Sequence, residues 1–162
     1  MNDRPTYQEY FMMIAFVVAT RSDDIFIKHG SVIINNMTNH IIATGYNGTF
    51  RGCDTSKIDI KNRDERRPWM IHSEENAIMN CTKNPLELPQ GASIYVTGLP
   101  CVNCLQRVIN FGIKTVYMAQ RNGSITENDE TKIMRDKILE MSKITVYEIP
   151  IDNKWIKKVI SE

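Results

Sequence analysis

The chain predicts an α/β protein in which helices cover both faces of a mixed sheet. Three observations carry this. Strand-like and helix-like runs alternate along 162 residues, a pattern that buries a sheet between helical layers. The first two strand-like runs follow each other across a short polar turn, so they form a hairpin and the sheet cannot be purely parallel. The composition is 42% hydrophobic and 24% charged, with only eight glycines and six prolines, which is ordinary for a globular core. The length suits a single domain over residues 1–162.

In order along the chain, residues 6–20, "TYQEYFMMIAFVVAT", read as a buried helix, with Tyr10, Phe11, Ile14, Val17 and Val18 at helical spacing. "SVIIN" (31–35) and "HIIATGY" (40–46) are rich in β-branched residues and are joined by "NMTN", hence the hairpin. Residues 49–68 are charged and aperiodic and read as a loop or insertion. Residues 74–83 read as a helix, and "ASIYVTG" (92–98) as a strand. Pro100 then opens a helix to about Phe111. A strand at 115–119, a helix at 127–142 and a strand at 144–149 close the series, giving five strands in all. No repeat or low-complexity tract interrupts it.

Charge and hydropathy narrow the function classes. Twenty Lys and Arg face nineteen Asp and Glu, without the basic surplus that a protein gripping long nucleic acid carries. No apolar stretch is long enough to span a bilayer. The first ten residues, "MNDRPTYQEY", are polar and unlike a signal peptide, so the expected compartment is the cytoplasm or nucleoplasm. In such a reducing compartment, a Cys-x-x-Cys such as Cys101 and Cys104 binds metal or does redox chemistry more often than it forms a structural disulfide. Cys53 and Cys81 read as ordinary thiols.

The chemistry centres on two stretches. In "PCVNC" (100–104) the two cysteines open a helix directly after a strand, where unpaired N–H groups and the helix dipole favour thiolate. In "HSEENAI" (72–78), His72 stands at a second helix start. Side by side, these helix mouths would place His72, Cys101 and Cys104 around one tetrahedral zinc. Three protein ligands leave the fourth position to water, which is the arrangement of a catalytic site; a structural site is closed by four. Glu74, two residues past His72, is off the ligand face of the helix and suits proton transfer at that water. Two blander readings compete: a thioredoxin-type thiol pair, which gives His-x-Glu no purpose, and a zinc-stabilised binding module, which gives Glu74 none.

His-x-Glu followed by Pro-Cys-x-x-Cys resembles the signature of zinc-dependent nucleobase deaminases. Residues 7–24, "ATGYNGTFRGC" (43–53), "IHSEENAIMN" (71–80) and "NFGIKTVYMA" (110–119) occur in that order over most of the chain, and together they are similar to deoxycytidylate (dCMP) deaminases. The resemblance implies the cytidine-deaminase-like three-layer fold, with a five-stranded mixed sheet between helices. It implies hydrolysis of dCMP to dUMP and ammonia, with one catalytic zinc per subunit. It also implies homo-oligomers, often hexamers, activated by dCTP and inhibited by dTTP with Mg2+. Two departures stand out: Ser73 where the family has alanine, and "HGS" (29–31) where it commonly has Val-Gly-Ala.

For substrate or effector, "GYNG" (Gly45, Tyr46, Asn47, Gly48) is by itself a turn, since Asn-Gly favours positive φ. The resemblance makes Asn47 a nucleotide contact, its loop an effector site, and Asn76 a neighbour of the nucleotide. A monophosphate needs cationic or N–H partners. Arg21, Lys28, Arg51, Arg66, Arg67, Lys83 and Arg107 are candidates, with Arg21 and Arg51 preferred for their place beside family-like stretches. The backbone of 97–100 is the expected holder of the base edge, and Tyr117 and Trp69 are expected in the core. Other cytosine nucleosides or nucleotides, including dCTP, remain alternative substrates.

Overall fold

Thr6 starts the first helix. Its hydroxyl accepts from the Glu9 amide at 3.2 Å, and Glu9 returns a carboxylate oxygen to the Thr6 amide at 2.7 Å. This reciprocal cap sets α1 at Tyr7–Ala19. The computed structural model describes residues 4–81, 88, 91–120 and 128–151. The remaining strands are β1 (Gly30–Asn35), β2 (His40–Tyr46), β3 (Gly48–Thr49), β4 (Met70–Ile71), β5 (Ala92–Val96), β6 (Thr115–Gln120) and β7 (Thr145–Pro150). The other helices are α2 (Arg63–Arg66), α3 (Ser73–Met79), α4 (Val102–Asn110) and α5 (Asp129–Ser142). The end of the expected 74–83 helix, with Lys83, and residue 127 of the expected 127–142 helix lie outside the described residues.

The main sheet has five strands in the order β2-β1-β5-β6-β7. β1 runs antiparallel to both β2 and β5, whereas β5, β6 and β7 are mutually parallel. The mixed sheet expected from the hairpin is therefore present. The hairpin turns where Asn35 accepts the amides of Met37 and Thr38 through its side chain and Asn39 takes a φ of 55°. Central strands β1 and β5 are buried along nearly their whole length, as strands covered on both faces must be. Their side chains alternate between two cores. Val32, Ile34 and Tyr95 meet Phe11, Met12 and Ala15 of α1. Ile33, Ile94 and Val96 pack with Ala77, Leu105, Val108 and Val116, beneath α3, α4 and α5.

The structure departs from the expected face of α1. Tyr10 is 44% and Val17 66% exposed, while the buried positions are Phe11, Met12, Ala15 and Ala19. Close approach explains the choice: a Cβ on Gly30 would lie 2.0 Å from the Ala15 carbonyl oxygen and 2.6 Å from the Ala19 nitrogen. Where α1 crosses Gly30 only the small Ala15 and Ala19 can come this near to the strand, and this fixes which face turns inward.

The 49–68 stretch is also more ordered than its charge suggests. β3 and β4 pair across it, with Gly48 opposite Ile71. Arg66 is buried in an ion pair with Asp24 and lies 4.6 Å over the Phe26 ring. Among the described residues, no helix is long and apolar enough to cross a membrane.

Candidate metal centre and acid–base site

Two helix starts meet above the sheet. His72 is the N-cap residue of α3, in an extended conformation, and its side chain makes no capping bond, which leaves the imidazole available. Cys101 is the N-cap residue of α4, and its sulfur accepts the Cys104 amide at 3.4 Å. His72 Nδ1 lies 3.5 Å from Cys101 Sγ and 3.3 Å from Cys104 Sγ. All three donor atoms fall within 4.8 Å of one another. The structure thus brings together the three residues that the sequence placed around one ion.

The donor set fits zinc. Two thiols and an imidazole are the ligand types zinc prefers, and the cluster includes no fourth protein donor among the described residues. The electrostatics agree. The Cys104 thiol beside it, then the His72 imidazole, hold the Cys101 thiol down at about 4, and the same sulfur contact pushes Cys104 upward. His72 is raised in turn by its bond to that sulfur. A cation bound among them would displace thiol protons.

Glu74 is not one of the clustered donors. It is only 5% exposed, and burial pushes its carboxyl above the ordinary range. Ser73 Oγ donates to Glu74 Oε2 at 3.0 Å, and Ser31 Oγ donates to Ser73 Oγ at 2.7 Å. A buried carboxylate of raised proton affinity, two residues from a metal-type cluster, is equipped as a general base and acid.

Most of the remaining site candidates have structural partners. Gly45 lies under α3: a Cβ there would sit 2.2 Å from the Ala77 nitrogen and 2.4 Å from the Ser73 oxygen. Asn47 is buried and acts as a brace. Its Oδ1 accepts the His29 amide at 2.7 Å, and its Nδ2 donates to Ile27 O at 2.9 Å and Asp24 Oδ2 at 3.1 Å. Asn76 Nδ2 donates to the carbonyl of Tyr46 at 2.7 Å, tying α3 to the end of β2. Gly48 lies in β3 beside Asp23. Arg21 and Arg51 are exposed, Arg107 pairs with Glu75 at 3.3 Å, and Lys28 Nζ donates to Ser22 O. The Thr97 amide of the 97–100 segment is committed to Gly30 O at 3.0 Å. Tyr117 stacks between Tyr95 and Tyr147, but Trp69 is 43% exposed against Phe50 and so is not in the core.

Sequence reasoning noted Ser73 and, within "HGS", Ser31 only as departures from the family pattern, and gave Arg66 as a phosphate candidate without its partner Asp24. The signal for Ser31 was present, since a polar residue heading the buried run "SVII" must find a partner.

Residues 5–120 match the model of the cytidine and deoxycytidylate deaminase zinc-binding region. The chain is 36% identical over 141 residues to the deoxycytidylate deaminase of Pongo abelii, covering 83% of this chain and 77% of the relative. It is 32% identical over 154 residues to ComE operon protein 2 of Bacillus subtilis, covering 93% and 75%. Among solved structures, the dCMP deaminase of cyanophage S-TIM5 in complex with dCMP and dUMP superposes with a TM-score of 0.69. That match is 22% identical and covers 90% of this chain and 98% of the other.

Proposed function

The chain belongs to the cytidine and deoxycytidylate deaminase zinc-binding family, and from that premise we propose that it hydrolyses dCMP to dUMP and ammonia. The observation that carries the reading is the buried carboxyl of Glu74 two residues beyond His72, which itself meets Cys101 and Cys104. Relatives named deoxycytidylate deaminase support the choice of substrate.

In this reading His72, Cys101 and Cys104 would hold zinc, which would lower the pKa of a water enough for it to serve as the nucleophile toward C4 of the pyrimidine near neutral pH. Glu74 would take the proton released and deliver it to N3, then take the proton of the new C4 hydroxyl and pass it to the amine as the C4–N bond breaks and the C4 carbonyl forms. Its burial suits both halves of the task, because the site must bind a proton firmly and then release it. Asn76 and the Gly45–Gly48 segment border α3 and β2 at the site's edge and are proposed to face the nucleotide, with Arg21 and Arg51 available to its phosphate. Cytoplasmic location, a homo-oligomer (a hexamer favoured), activation by dCTP, and inhibition by dTTP with Mg2+ belong to the same proposal. Resemblance to the family supports them.

Ammonia release from dCMP, dCTP, cytidine and tRNA, each measured with and without added dCTP, tests the assignment. The expected result is the highest kcat/KM for dCMP, increased by dCTP. Equal or faster turnover of free cytidine or tRNA would overturn the substrate. Ammonia from dCTP itself would make the enzyme bifunctional.

A further inference from the structure

Ser31 and Ser73 are each 0% exposed, and neither hydroxyl reaches water. Ser31 Oγ donates to Ser73 Oγ at 2.7 Å, and Ser73 Oγ donates to Glu74 Oε2 at 3.0 Å. A buried hydroxyl is costly unless it is bonded. An ionised Glu74 can only accept, so the order of donors is then set: sheet to helix, then helix to carboxylate. The contact requires α3 to lie almost on the hairpin. Ser31 pairs in register with Gly45, and the missing side chain of Gly45 admits the first turn of α3, whose Ser73 oxygen would stand 2.4 Å from a Cβ there.

We propose that Ser31 and Ser73 form a hydroxyl relay that orients the Glu74 carboxylate for proton transfer. Ser73 is a positioning residue: by fixing Oε2 it sets the plane of the carboxylate and so the direction of the other oxygen. Ser31 acts only through Ser73, holding that hydroxyl in its donating rotamer from the rigid centre of the sheet. Charge-assisted hydrogen bonds of this kind are the stronger ones, and proton transfer is sensitive to their direction. The inference rests on Glu74 being the proton carrier.

The test uses zinc-loaded enzyme with dCMP and the variants S31A, S73A, S31A/S73A and Glu74→Gln. With S73A, kcat falls roughly tenfold while KM and zinc content stay at wild-type values. S31A falls by about threefold, and the double variant matches S73A within about twofold, because the two serines act in series. In the metal-free protein, the isotope-edited infrared band of the Glu74 carboxyl, taken as a difference against Glu74→Gln, shifts with S73A. Wild-type kcat in S73A, a change in KM alone, an unshifted band, or full additivity in the double variant would each overturn the relay. Normal turnover by Glu74→Gln would instead remove the proton carrier itself, so the two failures are distinguishable.

Discussion

Glu74 and His72 are separated by one residue yet differ in environment. The imidazole reaches two sulfurs at the surface of the fold, while the carboxyl is buried against a serine. Substitutions should therefore separate them. Glu74→Gln keeps the shape, so zinc content stays at one per chain while kcat drops by roughly 10²–10⁴-fold, read by metal analysis beside ammonia release. Cys104→Ala removes a buried sulfur donor, so zinc is lost on dialysis and activity goes with it. These residues were legible in the sequence because each lies in a local motif whose spacing is itself the geometry. The bracing role of Asn47 was not, because its partners Asp24, Ile27 and His29 lie 18 to 23 positions upstream.

Two junctions between elements hold the site in place. The first is α3 on β2. Gly45→Ala forces a methyl into backbone, so stability falls by about 1–3 kcal/mol in urea denaturation. Zinc affinity falls too, since α3 carries His72. The second is the Asp24–Arg66 pair, which ties the loop after α1 to the short helix α2. Burial opposes ionisation of Asp24, but the Arg66 hydrogen bond and the amides of Phe26 and Ile27 outweigh it and hold the carboxyl below its ordinary range. A depressed carboxylate stabilises the fold above its unfolded pKa, about 3.9, and that contribution is lost as pH falls through the lower folded value. Stability measured against pH should decline below about pH 4 in the wild type. In Asp24→Asn that decline should flatten, with about 3–5 kcal/mol already lost at neutral pH because Arg66 stays buried unpaired. Element order was legible from periodicity and turn residues. The inner face of α1 and the order within 49–71 were not, since both depend on partners distant in sequence: Gly30 for the helix, Asp24 for Arg66.

For the whole molecule, the metal is expected to act as a staple between the starts of α3 and α4, in addition to the half-exposed Arg107–Glu75 pair that joins the two helices. Free zinc at a thousand times its Kd adds about 4 kcal/mol to folding. Chelation should therefore lower the melting temperature as it stops turnover, and added zinc should restore both; calorimetry beside the activity assay checks this. The sheet between the two helical layers is pinched at one place. Gly30 accommodates α1 on one face, and one rung along the hairpin Gly45 accommodates α3 on the other. The consequence is evolutionary. Enlarging Ala15 or Gly30 would push α1 off its face of the sheet, and enlarging Gly45 or Ala77 would push away α3, which carries Glu74. A library selected for activity would hold these four positions as tightly as the metal ligands themselves. Invariance at this hairpin would then record the thickness of a layer, and a ranking of sites by constancy alone would mistake it for chemistry.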